Sequence, residues 1–153
     1  MGVTIRKAGL ADLGLLMDWR MRVLAEVFAD SRDVDWEALR GRNEDYYHQH
    51  LADGSHSALF AIDDTGAIVG CGGICYQAEM PSPDNPSGTC GYLMNVFATP
   101  EARGRGVGHA IVRALIGDAR VRGTGKVYLE SSEMARRLYQ GMGFAPMRDY
   151  YKL

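Results

Sequence analysis

The stretch Arg103-Gly104-Arg105-Gly106-Val107-Gly108-His109-Ala110 follows the apolar run Tyr92 to Ala98 and leads into a helical pattern at Ile111, Ala114 and Leu115. Three alternate glycines between a strand and a helix, interleaved with two arginines, make an anion cradle. The first N–H groups of a helix have no carbonyl partners, and the macrodipole adds partial positive charge there. Glycine lets the backbone approach an anion closely, and arginine supplies countercharge. A strand that feeds such a turn and then a helix predicts an α/β fold with a phosphate-bearing ligand at the junction.

The letters exclude the two best-known cradles of this kind. A Walker loop needs Gly-Lys-Ser/Thr to reach phosphates and magnesium, whereas Val107 and His109 follow Gly106 and Gly108. A dinucleotide fingerprint counted from Gly104 and Gly106 needs its third glycine where His109 stands, and Glu130 imitates its acidic ribose partner only loosely. A plain Gly-rich turn would not call for three glycines with Arg103 and Arg105 between them.

Working outward, Val3 to Lys7 alternates as a short strand. Asp12 stands ready to cap a helix carrying Leu13, Leu16, Met17, Val23, Leu24, Val27 and Phe28 at helical spacing. After a break at residues 30–33, a second helix is expected from Asp35 to Asp53-Gly54. Ser57 to Ile62 and Ala67 to Gln77 then form a hairpin about Asp63-Asp64-Thr65-Gly66. Glu79 to Gly88 holds Pro81, Pro83 and Pro86 and reads as a stiff loop, while Cys90 to Ala98 is apolar at both parities, as a strand covered on both faces would be. The helix from Val107 ends at Gly123-Thr124-Gly125, Lys126 to Glu130 is a strand, and a last helix runs from about Ser132 to Gly143. Phe144 to Leu153 is predicted to close the sheet as a strand.

The 153 residues, 46% apolar and 24% charged, fit one domain spanning 1–153. A net charge of −2 disfavours nucleic acid as a partner. No apolar run has the length of a membrane span, and no secretory-signal pattern opens the chain, so the expectation is a cytoplasmic protein without a membrane partner. Cys71, Cys75 and Cys90 are odd in number and lie in apolar runs, which suits reduced, buried thiols; no metal site is expected.

From Asn95 to Phe144 the chain resembles the GCN5-related N-acetyltransferases. The likeness rests on Val96, Pro100-Glu101, Arg103-Gly104-Arg105-Gly106-Val107-Gly108, and Leu138-Tyr139 before Gly143-Phe144. It implies a mixed, mostly antiparallel sheet with splayed central strands and helices on both faces. It also implies acetyl-CoA as cosubstrate and a primary amine of a small molecule or peptide as acceptor, with a homodimer in keeping with family habit. By the same resemblance Arg103, Gly104, Arg105, Gly106, Val107, Gly108 and His109 hold the pyrophosphate. Val96, Phe97 and Ala98 take the pantetheine arm as an added strand, and a backbone N–H near Val96 faces the thioester oxygen. Ser132 and Arg136 stand at the last helix as further cofactor contacts. Ser132 occupies a position where the family commonly has asparagine, which alters one contact to the cofactor.

Two residues carry the expected catalysis. The resemblance points Tyr139 at the coenzyme A sulfur as the acid, although the stripe Ala135, Leu138, Tyr139 and Met142 equally describes core packing. Asn95 either supports a bulge or touches the acceptor, or it is a buried amide with satisfied partners. The central strand offers no carboxylate as base, leaving Glu26, Glu79, Asp84, His50 or water. A non-catalytic acyl-CoA-binding sensor is the reading from another class. It would keep the cradle and release no thiol.

Overall fold

The structure, a computed structural model, describes residues 2–153. Five strands, β1 (Thr4–Ala8), β2 (His56–Ile62), β3 (Ile68–Ala78), β4 (Thr89–Ala98) and β5 (Lys126–Leu129), lie in the order β1-β2-β3-β4-β5. The first three pairings are antiparallel and β4 with β5 is parallel. Four α-helices complete the chain: α1 (Leu13–Val27), α2 (Trp36–Ala52), α3 (Val107–Val121) and α4 (Arg136–Gly141). No described helix is long and apolar enough to cross a membrane.

Strand β2 divides the core by its alternation. Leu59 and Ala61 join Ile111, Leu115 and Tyr139 on one face, while Ala58 and Phe60 join Leu16, Met17 and Tyr47 on the other. The sheet is therefore covered by α3 and α4 on one side and by α1 and α2 on the other, as expected. Asp35 caps α2, its Oδ1 accepting from the Ala38 N–H at 3.0 Å. Asp12 behaves differently. Its carboxylate turns back to the Gly9 N–H at 3.0 Å and to Arg6, closing the short 3-10 turn Leu10–Asp12 ahead of α1 instead of capping α1 itself.

Helix α3 positions the glycine cradle. Val107, Ile111, Val112, Leu115 and Ala119 recur at helical spacing and are all fully enclosed. The helix ends where Gly123 adopts φ +70° and the Thr124 N–H reaches back to the Ala119 carbonyl at 3.0 Å, a Schellman closure. It lies close on β3 because β3 carries glycine beneath it: a Cβ on Gly72 would stand 2.5 Å from Ile111 Cγ2.

Two features of β4 shape the region beyond the cradle. Cys71 pairs with Phe97 and Gly73 with Met94, so Gly72 alone faces both Asn95 and Val96; this is a β-bulge, and Asn95 takes φ +58° to make it. On its other side β4 pairs with β5 only from Cys90 to Leu93, so Met94 to Ala98 have no ladder partner there. The expected splay is present.

One expected element is absent. Phe144 to Leu153 forms no strand. Pro146 cannot donate to a ladder, and Tyr150 meets β5 by its side chain, its hydroxyl 2.6 Å from Lys126 Nζ, without backbone pairing. The last helix is also shorter than expected, since residues 133–135 form a turn before α4.

Candidate functional site

Three elements converge: the unpaired end of β4, the loop into α3, and α4. In that loop Gly104 and Gly106 have φ of +77° and +82°, and a Cβ on either would meet nothing within 4 Å. The backbone there is bare to solvent. The first helical bond runs from the Ala110 N–H to the Gly106 carbonyl at 3.0 Å, so the N–H groups of Val107, Gly108 and His109 precede the ladder and are free to hold an anion. A Cβ on Gly108 would stand 3.2 Å from Leu138 Cδ2, which ties the cradle to α4.

The two arginines differ. Arg103 is held by the protein: Nη2 lies 2.8 Å from Glu26 Oε1, Nε donates to the Ala98 carbonyl at 3.1 Å, and the guanidinium sits over the Phe97 ring. Arg105 is exposed, with no ion pair among the described residues. Arg105 is thus the less engaged of the two, while Arg103 braces the β4 end against α1. Val96 and Ala98 sit on the unpaired edge of β4; the Phe97 side chain packs away from it, against Trp19 in the α1–α2 core.

Tyr139 is 8% exposed and packs edge-on to Phe144 at 5.8 Å. No described side-chain oxygen or nitrogen is both buried and unpaired, and no hydrogen bond reaches the Tyr139 hydroxyl, so that oxygen opens to the adjoining cavity. This cavity, of about 520 Å³, lies between β5 and α4 and is lined by Val127, Leu129, Ser131, Arg136 and Tyr139 among others. Burial pushes the phenol up from its ordinary value. Ser132 Oγ accepts from the Ala135 N–H at 3.2 Å and closes the turn into α4.

Three of the four expected protein bases are engaged elsewhere. Glu26 pairs with Arg103. Glu79 takes Asn85 Nδ2 and Lys126 Nζ, each at 3.1 Å; these contacts hold its carboxyl below the usual range and pin the proline loop, in which Asn85 is 1% exposed. His50 Nδ1 lies 2.6 Å from Ser55 Oγ. Neither these groups nor Asp84 lines the cavity beside Tyr139 or the smaller one across the sheet.

That smaller cavity, about 180 Å³, collects residues the sequence reading passed over: Arg20, Arg42, Asn43, Tyr46 and His56, together with Asn95. Arg20 Nη1 donates to Asn95 Oδ1 at 3.1 Å and Nε to Asn43 Oδ1 at 2.9 Å. Tyr46 OH meets His56 Nδ1 at 2.8 Å, and burial pushes the His56 imidazole down to about 4. A signal did exist: Arg20 interrupts the buried stripe of α1, between Leu16-Met17 and Val23-Leu24. Asn95 is therefore a half-buried amide that shapes the bulge and also faces a cavity.

Comparison with known proteins agrees with this geometry. The sequence profile of the Acetyltransferase (GNAT) family matches residues 21–144. A glucosamine 6-phosphate N-acetyltransferase of Trypanosoma brucei brucei is 33% identical over 86 residues, 56% of this chain and 56% of that protein. The chain spans about half the length of the curated relatives it matches. A GCN5-related N-acetyltransferase from Ralstonia eutropha JMP134 superposes with a TM-score of 0.84 at 27% identity, covering 99% of this chain and 98% of that one. A predicted acetyltransferase from Clostridium acetobutylicum, crystallised with acetyl-CoA, superposes with a TM-score of 0.88 over 99% and 96% of the two chains; at 24% identity that likeness is one of fold.

Proposed function

We propose that this chain, which belongs to the acetyltransferase (GNAT) family, is an acetyl-CoA-dependent N-acetyltransferase that moves an acetyl group by direct transfer to a primary amine of a small molecule or peptide. The observation that carries the reading is the unpaired edge of β4 from Met94 to Ala98, opening beside a cradle of bare backbone at Gly104 and Gly106. The cradle fits a pyrophosphate, because nothing occupies the space that a Cβ at either glycine would take. The N–H groups of Val107, Gly108 and His109 would hold it, with Arg105 as countercharge. The β4 edge at Val96 and Ala98 would take the pantetheine arm, and the Val96 N–H would polarise the thioester oxygen.

In the transfer, the amine nitrogen forms a bond to the acetyl carbon as the C–S bond breaks and its electron pair goes to sulfur. Tyr139 donates a hydrogen bond to the developing thiolate. Full proton transfer from a phenol to a thiolate is uphill by about 2 kcal/mol from reference pKa values, and burial of Tyr139 raises that cost, so solvent supplies the final proton. Of the expected bases, Glu26, Glu79, Asp84 and His50 all lie outside both cavities, which leaves water among them to take the amine's proton. Incubating the protein with acetyl-CoA and an amine panel, and reading free thiol together with acetylated products by mass, tests this directly. Thiol release matched by product is expected. Binding of acetyl-CoA with no thiol from any amine would overturn it in favour of a sensor.

A further inference from the structure

We propose that the acceptor amine carries an anionic group, a carboxylate or a phosphate, that docks on Arg20 in the cavity beside the Asn95 bulge. This rests on the acetyltransferase reading above. A guanidinium drawn into the buried stripe of a helix is costly without a counter-ion, and elsewhere even more exposed arginines of this chain have one: Asp12 for Arg6, Glu26 for Arg103 and Asp118 for Arg122. Arg20 receives none. Its two protein partners are the neutral amide oxygens of Asn43 and Asn95, and it has no ion pair among the described residues.

The partners fix its aim. Asn43 is itself tethered, its Nδ2 donating to the Leu39 carbonyl at 2.8 Å. Two of the five guanidinium N–H groups are thereby committed, and the rest are left to form the planar fork that suits carboxylate or phosphate. The walls add charge of the same sign and nothing to cancel it. Arg42 lines the cavity, no aspartate or glutamate does, and burial keeps His56, Tyr46 and Tyr47 neutral at physiological pH. A volume of about 180 Å³ equals roughly six waters, enough for an anionic group on a short carbon frame. Asn95 links the cavity to the chemistry: its side chain holds Arg20, and the next residue is Val96, whose N–H faces the proposed thioester. An acceptor anchored by its anion on Arg20 would bring its amine to that point.

The competing role for Arg20 is structural, pinning the bulge through Asn95, and the test separates the two. Matched acceptors are compared by kcat/KM with acetyl-CoA: an amino acid against its amide, and an amino-sugar phosphate against the unphosphorylated amino sugar. The anionic member is expected to win by at least about 10-fold, and Arg20→Met to shrink that ratio by about 10–100-fold. The two pairs tell carboxylate from phosphate. Preference for the neutral members, or an Arg20→Met loss equal for both members of a pair, overturns the proposal. A second measurement does not depend on turnover. The ¹H–¹⁵N signal of Arg20 Nε is titrated with inorganic phosphate and with acetate in the presence of coenzyme A. A saturable shift of that signal, which is assigned by its absence from the Arg20→Met spectrum, supports the site; no shift with either anion overturns it. If no amine is acetylated the enzymatic reading fails, while this titration still decides whether Arg20 receives an anion.

Discussion

Replacing Gly106 by alanine separates backbone strain from ligand binding, because the chain contains its own control. Gly106 opens α3 at φ +82° and Gly123 closes it at φ +70°, and a Cβ on either would meet nothing within 4 Å. Each Gly→Ala change therefore costs only the left-handed conformation of an L-residue, about 1–2 kcal/mol. For a protein of this size that lowers Tm by about 2–8 °C. The ligand consequence differs. A methyl on Gly106 projects from the bare backbone that is proposed to receive the pyrophosphate, whereas Gly123 is at the far end of the helix. Loss of one hydrogen bond to a charged group, about 1.5–3 kcal/mol, weakens acetyl-CoA binding by about 10–100-fold in Gly106→Ala. Gly123→Ala should bind as the parent does. Isothermal titration with coenzyme A, run beside thermal unfolding, reads both quantities. Equal affinity in the two variants, or equal loss, would refute the cradle.

Other outcomes follow from individual side chains. Tyr139→Phe is expected to lower kcat about 100-fold with little change in acetyl-CoA affinity, in steady-state kinetics; an unchanged kcat removes the acid role. Gly72→Ala drives a methyl to 2.5 Å from Ile111 Cγ2 and should cost about 1–3 kcal/mol in urea unfolding, with no such loss if α3 can simply lift from β3. His56 is held neutral, its folded pKa depressed to about 4 against an ordinary 6.5, so the unfolded chain binds the extra proton first. Its contribution is complete above pH 6.5 and is lost as pH falls toward 4, by about 3 kcal/mol in all. The pH dependence of the urea midpoint over that window should flatten in His56→Asn, and an unchanged slope would place the acid sensitivity elsewhere.

What the letters disclosed and what they hid divide along physical lines. The glycine turn into α3 was legible because glycine and an apolar 3.6 period are local signals: Gly104, Gly106 and the stripe from Val107 to Ala119 mean the same thing wherever the rest of the chain lies. The segment Phe144 to Leu153 misled for the converse reason. Its aromatics have strand character, but a strand needs a partner edge, and Pro146 with the side-chain contact of Tyr150 to Lys126 leaves β5 without one. The bulge lay between these cases. The left-handed φ of Asn95 has no letter of its own, yet asparagine tolerates that conformation better than most residues, and it is the single polar interruption of an apolar strand.

Arg20 interrupts α1 in the same way, and the two interruptions are one feature. Each polar residue placed alone in its buried surface would be a liability, since a half-buried guanidinium and a half-buried amide both need partners. Between α1 and β4 they satisfy each other at 3.1 Å, at the bulge that leads into Val96 and the unpaired end of β4. The exchange is incomplete, because a neutral amide returns a hydrogen bond but no charge. A group that only had to hold the bulge could have been neutral itself; the retained positive charge is the part of this pair that folding does not explain, and an anionic acceptor does.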